Sequence, residues 1–355
     1  MQDGSASPDR RFWNGRRVLV IGNTGFKGSW LSLLLHRLGA KVIGLSLPPP
    51  TQPSLFALAG LADLVPTIQV DIRDFPRLRG AVAELQPDML FHLAAQALVR
   101  TSYREPVETF ATNVMGTVHV LEAVRSVTSV RSVIVVTSDK CYENREWPWA
   151  YRETEAMGGD DPYSSSKGCA ELVAAAYRRS FFPAIATARA GNVIGGGDWA
   201  ADRLLPDCVR ALTTDQPIVI RNKSAVRPWQ HVLEPLCGYL LLAERLAADN
   251  EFADAWNFGP ADEDAMPVGW LASFVVREWG QQASWCEVPA EAVHEAGALK
   301  VDASRARAKL GWSPRLRLAD ALRWTIEWHR RLSAGEAALL LADEQLARYC
   351  AMGAA

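Results

Sequence analysis

Val18-Leu19-Val20-Ile21-Gly22-Asn23-Thr24-Gly25-Phe26-Lys27-Gly28 is the stretch that decides the fold. Its first four residues are a β-branched-rich run that predicts a strand, and a helical pattern follows over residues 30–38. Between them, glycines at 22, 25 and 28 permit a tight turn. Such a turn lets backbone N–H groups approach a pyrophosphate closely, at the positive end of the following helix. The competing reading is an ordinary Gly-rich turn, but a strand before and a helix after are what a dinucleotide cradle requires. Gly22, Thr24, Gly25, Phe26 and Gly28 are therefore its candidate residues.

Working outward, apolar runs at 42–47, 89–93 and 133–136 alternate with helical patterns at 107–125 and 169–182. Strand and helix in alternation mean parallel strands joined by crossovers. Continuous apolar strands fit a sheet covered on both faces. The fold class is α/β, a Rossmann doubly wound parallel sheet with a smaller C-terminal substrate-binding lobe. The rhythm changes after about Gly191: Gly195-Gly196-Gly197 interrupts the chain. Helical patterns follow at 203–212, 232–246, 268–279, 302–310 and 318–332, with a short strand at 218–221. The expected organisation is a polar tail over 1–12, the Rossmann domain over 13–190, the lobe over 191–335 and a C-terminal helix or tail over 336–355. The chain is free to cross between lobes.

Composition narrows the function. With 49% hydrophobic and 22% charged residues in 355, a packed core is expected. The net charge of −2 lacks the basic excess of a nucleic-acid binder. Six scattered cysteines without a C-x-x-C pair read as reduced thiols and give no support to a metal site. The polar start lacks a signal-peptide core, and no apolar run approaches the ~20 residues that span a bilayer. The expectation is a cytoplasmic protein with neither a membrane nor a nucleic-acid partner.

The third strand ends at Asp71-Ile72-Arg73, where an Asp can hydrogen-bond an adenine amine or simply close a turn. The second ends near Ser46 with neither an acid nor an Arg beside it, which favours NAD over NADP. Tyr163 and Lys167 stand four apart, hence on one helical face. A lysine beside a phenol favours the phenolate, making Tyr163 a usable base. Thr137-Ser138-Asp139 ends the strand just before them.

The glycine turn, Tyr163 and Lys167 together resemble the extended short-chain dehydrogenase/reductases. Several motifs are similar to those of the CDP-glucose 4,6-dehydratases within that family. They are Gly25-Phe26-Lys27-Gly28-Ser29-Trp30, His92-Leu93-Ala94-Ala95-Gln96, Ser138-Asp139-Lys140-Cys141-Tyr142, Gly195-Gly196-Gly197-Asp198-Trp199 and Arg227-Pro228-Trp229-Gln230-His231. The resemblance implies an NAD-dependent, redox-neutral dehydration of a nucleotide-linked glucose. Hydride leaves C4 while Tyr163 takes the O4 proton, water is lost across C5 and C6, and hydride returns to C6. It implies Ser138 as O4 contact, Asp139 as acid toward the C6 hydroxyl, and Lys140 at the position where dTDP-glucose relatives carry the Glu that takes the C5 proton. A plain loop lysine holding Asp139 is the alternative for Lys140. Ala94 and Ala95 join Asp71, Ile72, Tyr163 and Lys167 around NAD. Gln96, Asn192, Arg203 and Arg227 are the substrate contacts, although Arg203 reads almost as well as a salt-bridge partner. His92 and His231 read as packed residues, the tryptophans as core or loop anchors. The paired helices suit a homodimer or homotetramer. The alternatives are another nucleotide-sugar (dTDP, UDP or GDP) 4,6-dehydratase, a 4-epimerase, and a non-catalytic NAD-binding regulator.

Overall fold

The computed structural model describes residues 5–280, 283–288 and 297–353. The outermost parts of the two expected tails, 1–4 and 354–355, lie outside the described residues, as do 281–282 and 289–296 of the expected lobe. The central sheet comprises β1 (Arg17–Ile21), β2 (Lys41–Ser46), β3 (Thr67–Gln69), β4 (Met89–His92), β5 (Ser132–Val136), β6 (Ile185–Ala190) and β7 (Ala255–Phe258). Its order is β7-β6-β5-β4-β1-β2-β3, with every pairing parallel. The order reverses at β1, so the chain leaves β1 and β4 in opposite directions and opens a crevice beyond their ends.

The principal helices are α1 (Phe26–Arg37), α2 (Phe75–Leu85), α3 (Gly116–Arg125), α4 (Pro162–Ser180), α5 (Leu204–Thr213), α6 (Leu233–Ala248), α7 (Val268–Trp279), α8 (Leu318–Ser333) and α9 (Ala338–Met352). The continuous apolar character of β1 has a direct cause. Val18 and Val20 point into one layer with Leu31, Leu240 and Leu346 of α1, α6 and α9. Leu19 and Ile21 point into the other, with Leu78, Val120 and Ala174 of α2, α3 and α4. Successive strand side chains face opposite ways, and both faces are buried. A third cluster, built on Leu205, Phe274 and Leu322, is the core of the lobe.

Several boundaries differ from those the sequence suggests. The Rossmann layer does not end at 190. The chain returns with α6 against the sheet and adds β7 beside β6, pairing Ala255 with Thr187 and Phe258 with Ala190. The final segment is no loose tail, because Leu341, Leu346 and Tyr349 of α9 are buried in the core. Nor is the N-terminal segment loose where described: Ala6 N–H donates to the Gly311 carbonyl at 2.8 Å. The helix expected over 107–125 is broken into Pro106–Phe110, a π-helical turn Ala111–Met115, and α3. α4 starts at Pro162 rather than 169 because Asp161 caps it, accepting from Ser164 N–H at 2.9 Å. β3 stops at Gln69, two residues before Asp71.

The turn after β1 leaves no room for side chains at two glycines. Gly22 has φ +93°, and a Cβ there would stand 2.7 Å from the Ala94 nitrogen. A Cβ on Gly28 would collide with the Gly22 carbonyl oxygen. Backbone, not a flexible tip, is what the new atom meets. Gly28→Ala should therefore destabilise the protein by about 3 kcal/mol, the upper end of overpacking costs. Chemical denaturation checks this; an unchanged midpoint would contradict the packing described.

Candidate active site

The cradle is assembled from short polar contacts. Thr24 Oγ1 lies 2.7 Å from Ser46 Oγ and donates to the Leu47 carbonyl at 2.9 Å. Asn23 Nδ2 donates to Thr67 Oγ1 at 2.8 Å, anchoring the turn to the start of β3. Ser29 Oγ donates to the Asn23 carbonyl at 3.1 Å. Ser46 thus occupies, as a neutral group, the place where an acid would meet a ribose. Asp71 is in the turn after β3. Its carboxylate accepts Arg73 N–H at 2.9 Å and pairs with the Arg73 guanidinium at 2.6 Å. That side-chain bond holds Asp71 below its ordinary pKa. Ile72 is buried against Gly116, and its carbonyl is 2.9 Å from His119 Nδ1.

A cleft of about 320 Å³ opens past the sheet's C-terminal edge. Ser138, Asp139, Lys140 and Tyr163 line it together with Asn192, Arg203 and Arg227. Ser138 Oγ donates to Asp139 Oδ1 at 2.9 Å and accepts from Lys140 N–H at 3.2 Å. Asp139 is 2% exposed, and burial raises its pKa against the pull of Lys140 and Ser138. A buried carboxyl biased toward protonation can donate a proton.

Burial pushes the Tyr163 phenol up to about 12, opposed by its hydrogen bond with Ser138 and by Arg203. Burial lowers Lys167 to about 8, opposed by Glu171 and Cys141. Lys167 Nζ donates to the Val136 carbonyl at 3.4 Å, fixing the side chain beneath the end of β5. The shared helical face is there, but desolvation rather than the lysine is the largest influence on the phenol.

Beneath this cluster lies a network that sequence reasoning missed. Glu171, one turn beyond Lys167, accepts from Thr137 Oγ1, from Thr187 Oγ1 at 2.7 Å and from Arg189 at 2.7 Å. Both charged side chains are 4% exposed. Arg189 also donates to Tyr142 Oη at 2.7 Å, and that phenol donates to Asn257 Oδ1 at 2.7 Å. Burial disfavours the Glu171 charge, yet Arg189 and the two threonines keep its pKa below the ordinary value. Asn113, in the π-helical turn, donates to Ser166 Oγ at 2.8 Å and to the Gln96 carbonyl at 2.9 Å. An Asn among helix formers was the only available hint, since such residues disfavour helix interiors. Lys27, not singled out from sequence, also faces the cleft.

Gln96 departs from its expected role as a sugar contact. Its Nε2 donates to the Leu98 carbonyl at 3.1 Å and to Thr109 Oγ1 at 2.9 Å, and its Oε1 accepts Leu98 N–H at 2.6 Å. The amide is spent on closing its own loop. Arg203 bonds Asp198 Oδ2 at 3.1 Å while still facing the cleft, so the ion-pair and ligand readings coexist. His92 and His231 are buried and pushed by desolvation to about 3, hence neutral packing residues. Trp149 is exposed, whereas Trp199 packs on Trp328 and Trp229 is buried at the cleft wall.

Crevice, glycine turn and Tyr–Lys helix define the class. The chain belongs to the extended short-chain dehydrogenase/reductases, in the family described as GDP-mannose 4,6 dehydratase, which it matches over residues 19–325. Within reach of that family, a CDP-glucose 4,6-dehydratase of Salmonella typhimurium is 52% identical over 351 residues, 96% of this chain and 98% of that protein. A solved epimerase from Methanothermobacter thermautotrophicus superposes with a TM-score of 0.80 at 22% identity, covering 92% of this chain and 95% of the other. The UDP-glucose 4-epimerase of Thermotoga maritima gives 0.78 at 23%, with 89% and 99% covered. At such identities the likeness is one of fold.

The charge on Lys167 suggests a pH test. Its folded value of about 8 means the ammonium is lost as pH rises through that point, so turnover should decline on the alkaline side. Glu171 is the largest group raising it. Glu171→Gln should shift the alkaline limb to lower pH, while costing ~3–5 kcal/mol because Arg189 is left buried and unpaired. A pH–rate profile whose limb does not move would remove Glu171 from this role.

Proposed function

We propose that the protein is a CDP-D-glucose 4,6-dehydratase, an NAD-dependent hydro-lyase forming CDP-4-keto-6-deoxyglucose for deoxysugar synthesis. The observation that carries this reading is the meeting of Ser138, Asp139, Lys140 and Tyr163 in one cleft with Asn192, Arg203 and Arg227. The 52% identity to a CDP-glucose enzyme supports the choice of base. The crowded glycine turn, where a Cβ at 22 or 28 would strike backbone, fits a pyrophosphate lying against bare backbone. Gly22, Thr24, Gly25, Phe26, Gly28, Asp71, Ile72, Ala94, Ala95, Tyr163 and Lys167 would hold NAD. The neutral Ser46 with no Arg beside it favours NAD over its 2′-phosphate.

When bound, the nicotinamide supplies a reversible two-electron acceptor beside the sugar. Tyr163 removes the O4 proton as C4 is oxidised, with Ser138 bonded to the same oxygen. The ketone acidifies the C5 proton, which Lys140 takes. Asp139, whose burial favours the protonated form, donates to the departing C6 hydroxyl, and water leaves. Return of hydride to C6, with Lys140 giving its proton back to C5, would complete the 4-keto-6-deoxy product and leave the cofactor oxidised again.

The protein works in the cytoplasm as a homodimer. All six cysteines are free thiols, which suits a reducing compartment. Among the described residues no helix is long and apolar enough to cross a membrane. Val107, Phe110 and Met115 are exposed on the helical segment before and through the π turn, and Leu172 and Phe181 at the neighbouring α4. A contiguous apolar face of this kind needs a cover, and a second copy supplies the same face.

Incubation with CDP-, dTDP-, UDP- and GDP-glucose plus NAD, followed by product identification, tests the assignment. The CDP sugar should give a 4-keto-6-deoxy product. A 4-epimer would indicate an epimerase instead, and no product from any would reject the enzyme reading. In Lys140→Met, C4 oxidation should persist while C5 exchange with deuterated solvent disappears; normal exchange would return Lys140 to a structural role. Leu172→Asp should yield a monomer by analytical ultracentrifugation.

A further inference from the structure

Lys27 is a charged residue that the reaction above leaves unused. It is the second residue of α1, immediately behind the glycine turn, and it faces the same cleft as Asp139 and Arg203. The charged groups around its ammonium are Arg203, Lys167, Asp139 and Asp198. Both carboxylates have other partners: Asp198 is paired with Arg203 at 3.1 Å, and Asp139 accepts from Ser138 Oγ at 2.9 Å. Two cationic side chains, one from the start of α1 and one from the start of α5, therefore line one cavity, and among the described residues Arg203 has an ion-pair partner in Asp198 while Lys27 has none. Like charges placed this way in a low-dielectric cleft repel unless an anion enters. The anion must be compact and multidentate, and a diphosphate is that. Arg203 comes from the lobe, at the N-cap of α5, and lines the cleft together with Asn192 and Arg227. Its origin in the lobe points to the substrate, not the cofactor, as the source of the anion.

We propose that Lys27 and Arg203 together clamp the diphosphate of the sugar nucleotide in the cleft, the substrate supplying the counter-charge that Lys27 lacks. The proposal rests on the nucleotide-sugar reading above. It assigns the side chain of the glycine turn to substrate, while the backbone of the same turn serves the cofactor. Burial, then Arg203 and Lys167, lower Lys27 to about 7, with Asp139 and Asp198 opposing. An arriving diphosphate favours the charged form, so binding at pH 8 should draw a proton from solvent.

Calorimetry of CDP and cytidine binding to the NAD-loaded protein, at pH 8 in buffers of different ionisation enthalpy, tests this. Wild type should take up a proton with CDP. Lys27→Met should lose that uptake and bind CDP roughly ten- to hundredfold more weakly, with cytidine and NAD affinities unchanged. Lys27→Arg should regain most of the CDP affinity; should the Met variant not fold, Lys27→Gln carries the same comparison. Unaltered CDP affinity and proton uptake in the neutral variant would overturn the proposal, as would a loss confined to NAD. A wild-type protein that binds none of CDP, dTDP, UDP or GDP would instead sink the underlying reading, which keeps the two failures apart.

Discussion

A carboxylate and a guanidinium buried side by side, Glu171 and Arg189, fix the geometry on which the site depends. Four segments report to this pair: the end of β5 through Thr137, α4 through Glu171 itself, β6 through Thr187 and Arg189, and the turn after Lys140 through Tyr142. Those are the segments that carry Ser138, Asp139, Lys140, Tyr163 and Lys167. Buried ion pairs contribute little net stability, because desolvation offsets attraction. What this one provides is registration. These bonds form only when strand ends and helix stand in one relative position, so the side chains lining the cleft inherit that position.

The second constraint is the parallel sheet. Parallel strands deliver all their C-terminal ends to one edge, and the reversal of order at β1 opens that edge between β1 and β4. The glycine turn lies there by topology, and the strand end Thr137-Ser138-Asp139 lies there for the same reason. The lobe adds Asn192, Arg203 and Arg227 to the same cleft. A loop-borne site on a rigid layer follows from connectivity before any side chain is considered.

How much of this the sequence disclosed depended on range. The β1–turn–α1 unit was legible because its period and its glycines are local. Ser138, Asp139, Lys140 and Tyr163 were legible because each adjoins a strand end or a helix start. The Glu171–Arg189 pair was not: its members are 18 residues apart on different elements, and only the packed sheet brings them together. The bonds of Gln96 were hidden for a similar reason, since nothing local announces that its amide will meet Leu98 and Thr109. β7 was hidden because Ala255-Trp256-Asn257-Phe258 is brief and carries a polar residue; that Asn serves Tyr142 and the Tyr151 carbonyl inside the fold. The π-helical turn, too, is a response to tertiary bonds made by Asn113 rather than to helix propensity.

The burial of α9 has a consequence for how the chain is made. Tyr349 Oη donates to Glu234 Oε2 at 2.7 Å, and the same carboxylate accepts the Leu316 N–H at 2.8 Å. One face of the sheet is thus roofed by residues from much further along the chain. An N-terminal fragment emerging during synthesis carries Leu31, Leu34 and Leu240 with their cover still inside the exit tunnel. The apolar layer must remain unsealed, or be shielded by other factors, until α9 has been made. The amino-terminal strand–turn–helix unit therefore completes its packing only once α9 has docked.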